Sequence, residues 1–154
     1  MENSGLVRIY YQSEEYNDCI EEEYFQINGN KHGVYTQYDI QGNKIKTIEY
    51  VDGKKHGAYI SYYDMSDIIY CKCYYDNDIK VGEMVFYWEN GDIHNICNYE
   101  NDKISGMRYW YNKDCKLIKS CNHINGLRQG ECINYYPDGT IKSVWNYIDD
   151  EIIN

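Results

Sequence analysis

One proline and one alanine stand in 154 residues, so helix-favouring runs are scarce. Phenylalanine is short too, with two against twenty tyrosines. Tyrosine in that excess suits a half-buried sheet, where the ring is apolar and the hydroxyl stays wet. Positive charge is the minority: 15 Lys and Arg against 25 Asp and Glu give a net charge of -10. With a pI near 4.7, this disfavours nucleic-acid backbones and makes membrane surfaces unattractive, since both draw basic patches. No apolar run of about 20 residues and no secretory leader is visible. The seven cysteines are odd in number, and the reading is reduced thiols in a cytoplasmic protein.

What is present is a hairpin, repeated. In Gly130 to Tyr147, GECINYYPDGTIKSVWNY, a Pro137-Asp138-Gly139 turn lies between strand-favouring residues. Simple pairing across that turn sets Tyr135 against Ile141, Ile133 against Ser143 and Glu131 against Trp145. A glycine followed five residues later by tyrosine recurs at Gly5/Tyr10, Gly33/Tyr38, Gly57/Tyr62, Gly82/Tyr87, Gly106/Tyr111 and Gly130/Tyr135. The glycine spacings are 28, 24, 25, 24 and 24. Self-similarity at a period of about 24 marks a repeat array. A second aromatic column follows seventeen residues after the glycine, at Tyr50, Tyr74, Tyr99 and Tyr147, with His123 in one unit and Tyr24 in the stretched first one.

Each unit reads as outbound strand, turn, return strand and a connecting turn such as Asp52-Gly53 or Asn125-Gly126. The prediction is one all-β domain over 1–154: an elongated single-layer antiparallel meander of about six consecutive hairpins, with about 10–12 strands. Leu6 to Tyr11 is expected at one edge and 148–154 as a tail or half strand. Acidic residues from Glu14 to Glu23 form a solvated face that also blunts the first edge.

The segments KHGVYTQYDIQGN, DGKKHGAYISYY and VFYWENGDI resemble MORN repeats, in the variant with aromatic pairs before an Asn/Asp-Gly turn. The resemblance covers about residues 5–150. It departs from the pattern at Ser66-Asp67 and at Cys115, where turn glycines are missing. It implies a single-layer sheet of consecutive hairpins that scaffolds, dimerises or joins other domains, and in some members phospholipid association, against which the acidity counts. The variant is known from antitoxin-like bacterial proteins and from large DNA viruses. A composition rich in Ile, Asn, Lys and Tyr fits an AT-rich genome, with host cytoplasm as the location if viral.

Regular alternation assigns the faces. One carries the tyrosine columns with Ile60, Val85, Ile133, Ile48, Cys97, Cys121 and Trp145, and is expected to be the core side, covered by coiling or by a second copy of the chain. The other is polar, with Gln37, Asp39, Glu49, Asn98, Asn112, Asn122 and Lys142. In its middle an apolar cluster of Tyr63, Ile69, Phe86, Trp88, Ile96, Trp110 and Ile118 is the candidate interaction surface.

Chemistry is sparse. Cys71 and Cys73 share one strand face, with only Cys132 on the same side, short of the four ligands of a zinc site. Cys97 and Cys121 are two strands apart, about 10 Å, too far for a disulfide. His32 and His56 recur with the repeat and read as turn residues. No phosphate loop, nucleophile elbow or carboxylate pair is present. The expectation is a non-enzymatic protein-interaction or scaffolding module without cofactor or metal. An antitoxin-like acidic inhibitor of a basic target and a phospholipid tether are the alternatives.

Overall fold

The computed structural model describes residues 3–153 and contains no helix among them. The strands are β1 (Ser4–Tyr10), β2 (Ile20–Ile27), β3 (Asn30–Tyr38), β4 (Lys44–Val51), β5 (Lys54–Tyr62), β6 (Ile69–Asp76), β7 (Ile79–Tyr87), β8 (Ile93–Glu100), β9 (Lys103–Ile104), β10 (Gly106–Tyr111), β11 (Leu117–Ile124), β12 (Leu127–Tyr135), β13 (Ile141–Ile148) and β14 (Glu151–Ile153). The chain divides into two compact units, one ending at Ile79 and the other beginning at Lys80. In the first, β1 to β6 follow one another in antiparallel order; in the second, the order is β7-β8-β10-β11-β12-β13-β14, with β9 paired to β8. The all-β open meander of hairpins is therefore observed. Fourteen strands rather than 10–12 arise because Ser105 splits β9 from β10 and because 151–153 form a strand of their own.

The connecting turns carry two consecutive residues in the left-handed region, as tight hairpins require. Asn28 and Gly29 have φ of 50° and 82°, and Asn101 and Asp102 have 51° and 64°. Asn, Asp and Gly are the residues that tolerate this backbone. The turns also tie to one another along their edge of the sheet. Asp102 N–H donates to the Lys80 carbonyl, at 3.1 Å, and Lys80 N–H donates to Asp102 Oδ1, at 2.8 Å. Asp78 with Lys55 and Asp150 with Arg128 repeat the arrangement.

The mid-unit turns are alike in every clean repeat. The residue after the repeat tyrosine donates its N–H across the turn: Asp39 to Asn43, Tyr63 to Ile68, Trp88 to Asp92, Asn112 to Lys116 and Tyr136 to Thr140. Where the expected glycine is missing, Met65 and Cys115 adopt φ of 53° and 57° instead.

One residue beyond each of these turns, the return strand bulges. Tyr135 pairs with Ile141 as expected, but Asn134 pairs with Ser143, Ile133 with Val144 and Cys132 with Trp145. Lys142 is the extra residue, and Ile45, Tyr70, His94 and Ile118 are its counterparts. An unpaired residue shifts the pairing by one, and a one-residue shift carries every later side chain to the other face.

The expected faces are corrected accordingly. In the second unit one face holds the row Phe86, Asn95, Trp110, Lys119, Asn134, Ser143 and the row Arg108, Cys121, Cys132, Trp145. The other holds Val85, Ile96, Tyr109, Ser120, Ile133 and Val144. So Cys97, Cys121, Tyr147 and Trp145 do not share a side with Val85 and Ile133. Burial concentrates on the first face, at Met84, Asn95, Cys97, Cys121, His123, Cys132 and Tyr147. In the first unit the corresponding core is Tyr35, Ile48, Cys71 and Cys73. Small side chains thus lie beneath large ones, which lets a single layer bury part of its own surface.

A separate irregularity, between Cys121 and His123 in the β11–β12 pairing, sets Cys121 opposite Cys132, with Cα atoms 4.2 Å apart, and their sulfurs are bonded. The expectation of reduced thiols throughout, and the placement of these two on opposite faces, give way at this pair. The second aromatic of the unit that begins at Gly57 is likewise Tyr75, opposite Gly57, rather than Tyr74, because the turn after Tyr63 is one residue longer.

Candidate functional site: a cation and aromatic face

A column of cations two residues before the repeat glycine stacks on the second aromatic column. Lys55 Nζ lies 5.1 Å from the Tyr75 ring centre, Lys80 Nζ 4.6 Å from Tyr99, and the Arg128 guanidinium carbon 4.0 Å from Tyr147. Lys31 Nζ is shared among three rings, Tyr35 at 4.1 Å, Tyr24 at 4.6 Å and Tyr50 at 5.6 Å. A cation over a ring face is drawn to its quadrupole, worth about 0.5–1 kcal/mol where water still reaches it. Among the five clean repeats one lacks such a cation: Ile104 replaces it and His123 replaces the tyrosine. The pattern lay in the sequence as a Lys or Arg two positions before the glycine, and sequence reasoning missed it.

In the second unit this column meets a second cluster. Arg108 and Lys119 both lie over Trp110, at 4.7 Å and 5.1 Å. Trp110 in turn packs on Cys121, Cys132 and Tyr147. Arg108 Nη2 donates to Asn95 Oδ1 at 3.0 Å, and Asn95 is 4% exposed. Arg108 Nε and His123 Nδ1 are buried without a hydrogen-bond partner. Burial, reinforced by the charge of Arg108, holds the His123 imidazole below its ordinary pKa, with the Cys121 backbone and Asp150 opposing. The strand positions of this face carry Lys80, Arg108, Lys119 and Arg128 and no Asp or Glu. The opposite face carries Glu83 and Glu131.

The seven residues of the candidate surface fall in both units. Tyr63 and Ile69 belong to the first unit, where both are half-buried and Tyr63 meets Tyr70 edge-on at 5.2 Å. In the second unit Phe86 and Trp110 share the cationic face, Ile96 lies on the other, and Ile118 is a bulge residue. Trp88 is held by its turn: its indole N–H donates to the Tyr111 carbonyl at 3.3 Å, and its ring stacks on His94 at 3.9 Å. Burial, then the Arg108 charge, lowers the His94 pKa. Exposed apolar groups include Trp145 of β13, at 47% exposure, with Ile148 and Ile152.

His32 and His56 pair with Asp52 and Asp76, at 3.6 Å and 3.2 Å, in the connecting turns. The repeat glycines and tyrosines position strands rather than a site. Among the described residues no three His, Cys, Asp or Glu side chains converge as a metal site would need.

The geometry defines a β-hairpin repeat protein with a cation-aromatic face. The MORN repeat variant family matches two of its units, residues 80–101 and 128–149. Each matched segment opens on the stacking cation, Lys80 or Arg128, and spans its tyrosine partner, Tyr99 or Tyr147. No curated protein matches the chain. MORN repeats generally serve as modules that contact proteins or membranes.

Proposed function

We propose that the protein is a non-enzymatic protein-interaction module that contacts its partner through the cationic aromatic face of the second unit. The observation that carries this reading is the grouping of Trp110, Trp145, Tyr147, Arg108 and Arg128 on one face. Trp, Tyr and Arg are the residue types that dominate the energy of protein interfaces. A partner captured from its source and purified should bind the reconstituted module. Trp145→Ser should weaken that affinity by roughly tenfold or more, while Val144→Ser, its neighbour on the opposite face, should not. Equal effects from the two changes would contradict the assignment.

A second reading uses the first unit. Glu14, Glu15 and Asp18 are exposed between β1 and β2, and suit an acidic inhibitor of a basic target. Such binding should fall steeply with salt and with Glu14→Gln, Glu15→Gln and Asp18→Asn together; a salt-independent affinity would exclude it. For a phospholipid tether, the net charge predicts no pelleting with phosphatidylserine vesicles.

A further inference from the structure

We propose that the Trp110 face of the second unit is a docking site for a carboxylate-rich peptide segment of the partner. The proposal rests on the interaction reading above and names the chemistry of what is bound. Two cations, Arg108 and Lys119, flank one tryptophan, and neither has a carboxylate partner among the described residues. In a chain with ten more acidic than basic side chains, these two cations converge on one tryptophan ring. The face they occupy has no acid at any strand position. Arg128, by contrast, already holds Asp150, with Nε to Oδ1 at 2.7 Å. That pair shows within the same fold what the Arg108 fork lacks.

The guanidinium geometry supports the same conclusion. Asn95 fixes one arm of the guanidinium and Trp110 fixes its plane, so the fork is held in place before anything binds. A carboxylate accepts a charge-assisted bond from the guanidinium N–H groups that Asn95 leaves free. Trp110 supplies the apolar floor beside it. The net charge of the chain repels an acidic segment at long range, but at about 0.1 M salt charges more than about 10 Å apart are largely screened while direct pairs persist.

The test uses the intact protein and a labelled synthetic peptide of Glu and Asp residues around one Tyr, followed by fluorescence anisotropy. The control is the same peptide with Gln and Asn. Binding of the acidic peptide, weaker by about tenfold for Arg108→Gln with Lys119→Gln and unchanged for Glu83→Gln, supports the proposal. The wild type alone gives a further check, since its affinity should fall between about 50 mM and about 300 mM salt. Equal binding of the Gln/Asn peptide overturns the proposal. So does capture of phosphatidylserine vesicles through Arg108 and Lys119 without peptide binding. Self-association above 18.4 kDa through these residues, without peptide binding, also overturns it. If the purified partner loses affinity with Trp145→Ser while the acidic peptide never binds, the interaction reading stands and only the acidic chemistry falls.

Discussion

Gly130 has φ of 76°, and an added Cβ would meet nothing within 4 Å. Space does not demand glycine there; the backbone does. A Cβ in the left-handed region costs about 1–2 kcal/mol, less for Asn. Gly130→Ala should therefore lower stability by about 1 kcal/mol, and Gly130→Asn should lower it less. Equal losses in denaturant unfolding would show that packing is at work instead. The reverse case is Cys115, an exposed non-glycine residue at φ of 57° in a turn where other units place glycine. Cys115→Gly should stabilise, by up to about 1 kcal/mol. The histidines give a pH dependence with a definite sign. His94 and His123 have pKa values lowered in the fold, chiefly by burial. Below their unfolded pKa the unfolded chain takes up protons that the fold does not, so stability is lost as pH falls from about 7 toward 5. The carboxylates held low by their hydrogen bonds, Asp39, Asp138 and Asp150, lose their contribution only at more acid pH. His123→Gln should flatten the thermal-stability profile over the first window, and an unchanged slope would remove His123 from the account.

At the scale of the hairpin, turns and period were legible because both depend on residue type. Asn, Asp and Gly announce left-handed backbone, and the glycine-tyrosine interval repeats it in phase. The bulge was not legible. Its extra residue is Ile45, Tyr70, His94, Ile118 or Lys142, which have no chemistry in common. Without it, strict alternation placed Trp110 and Phe86 on a polar face and Cys121 away from Cys132. The disulfide follows from the β11–β12 register, which shifts between Cys121 and His123, and is a test of it. Cys121 and Cys132 should resist alkylation until reduced. Replacing both by Ser should cost about 2 kcal/mol and lower the melting temperature by roughly 4–8 °C. Ready labelling of both in the folded, unreduced protein would contradict the register.

For the molecule as a whole, net charge misleads about the surface that matters. The acidity argues against polyanions when averaged over the chain, yet the second unit presents a face whose strand positions hold four cations and no acid. Sequence reading found Trp88, Trp110 and Phe86 as candidates but overlooked Arg108, which shares a face with Trp110 on β10 by simple alternation, and could not place Lys119 opposite Trp110, since that pairing exists only after the bulge sets the register. Trp88 proved to be committed to its turn, and Trp145, assigned to the core, proved to be among the open residues. The central claim is that this face makes the contact, and a nitrogen-edited NMR spectrum tests it directly. The indole N–H signals of Trp88, Trp110 and Trp145 and the Nε–H of Arg108 would be followed as the acidic peptide is added. The account predicts that Arg108 and Trp110 shift most, Trp145 less and Trp88 least. Shifts confined to Trp88 and the Val85–Val144 row, with Arg108 and Trp110 unmoved, would contradict it.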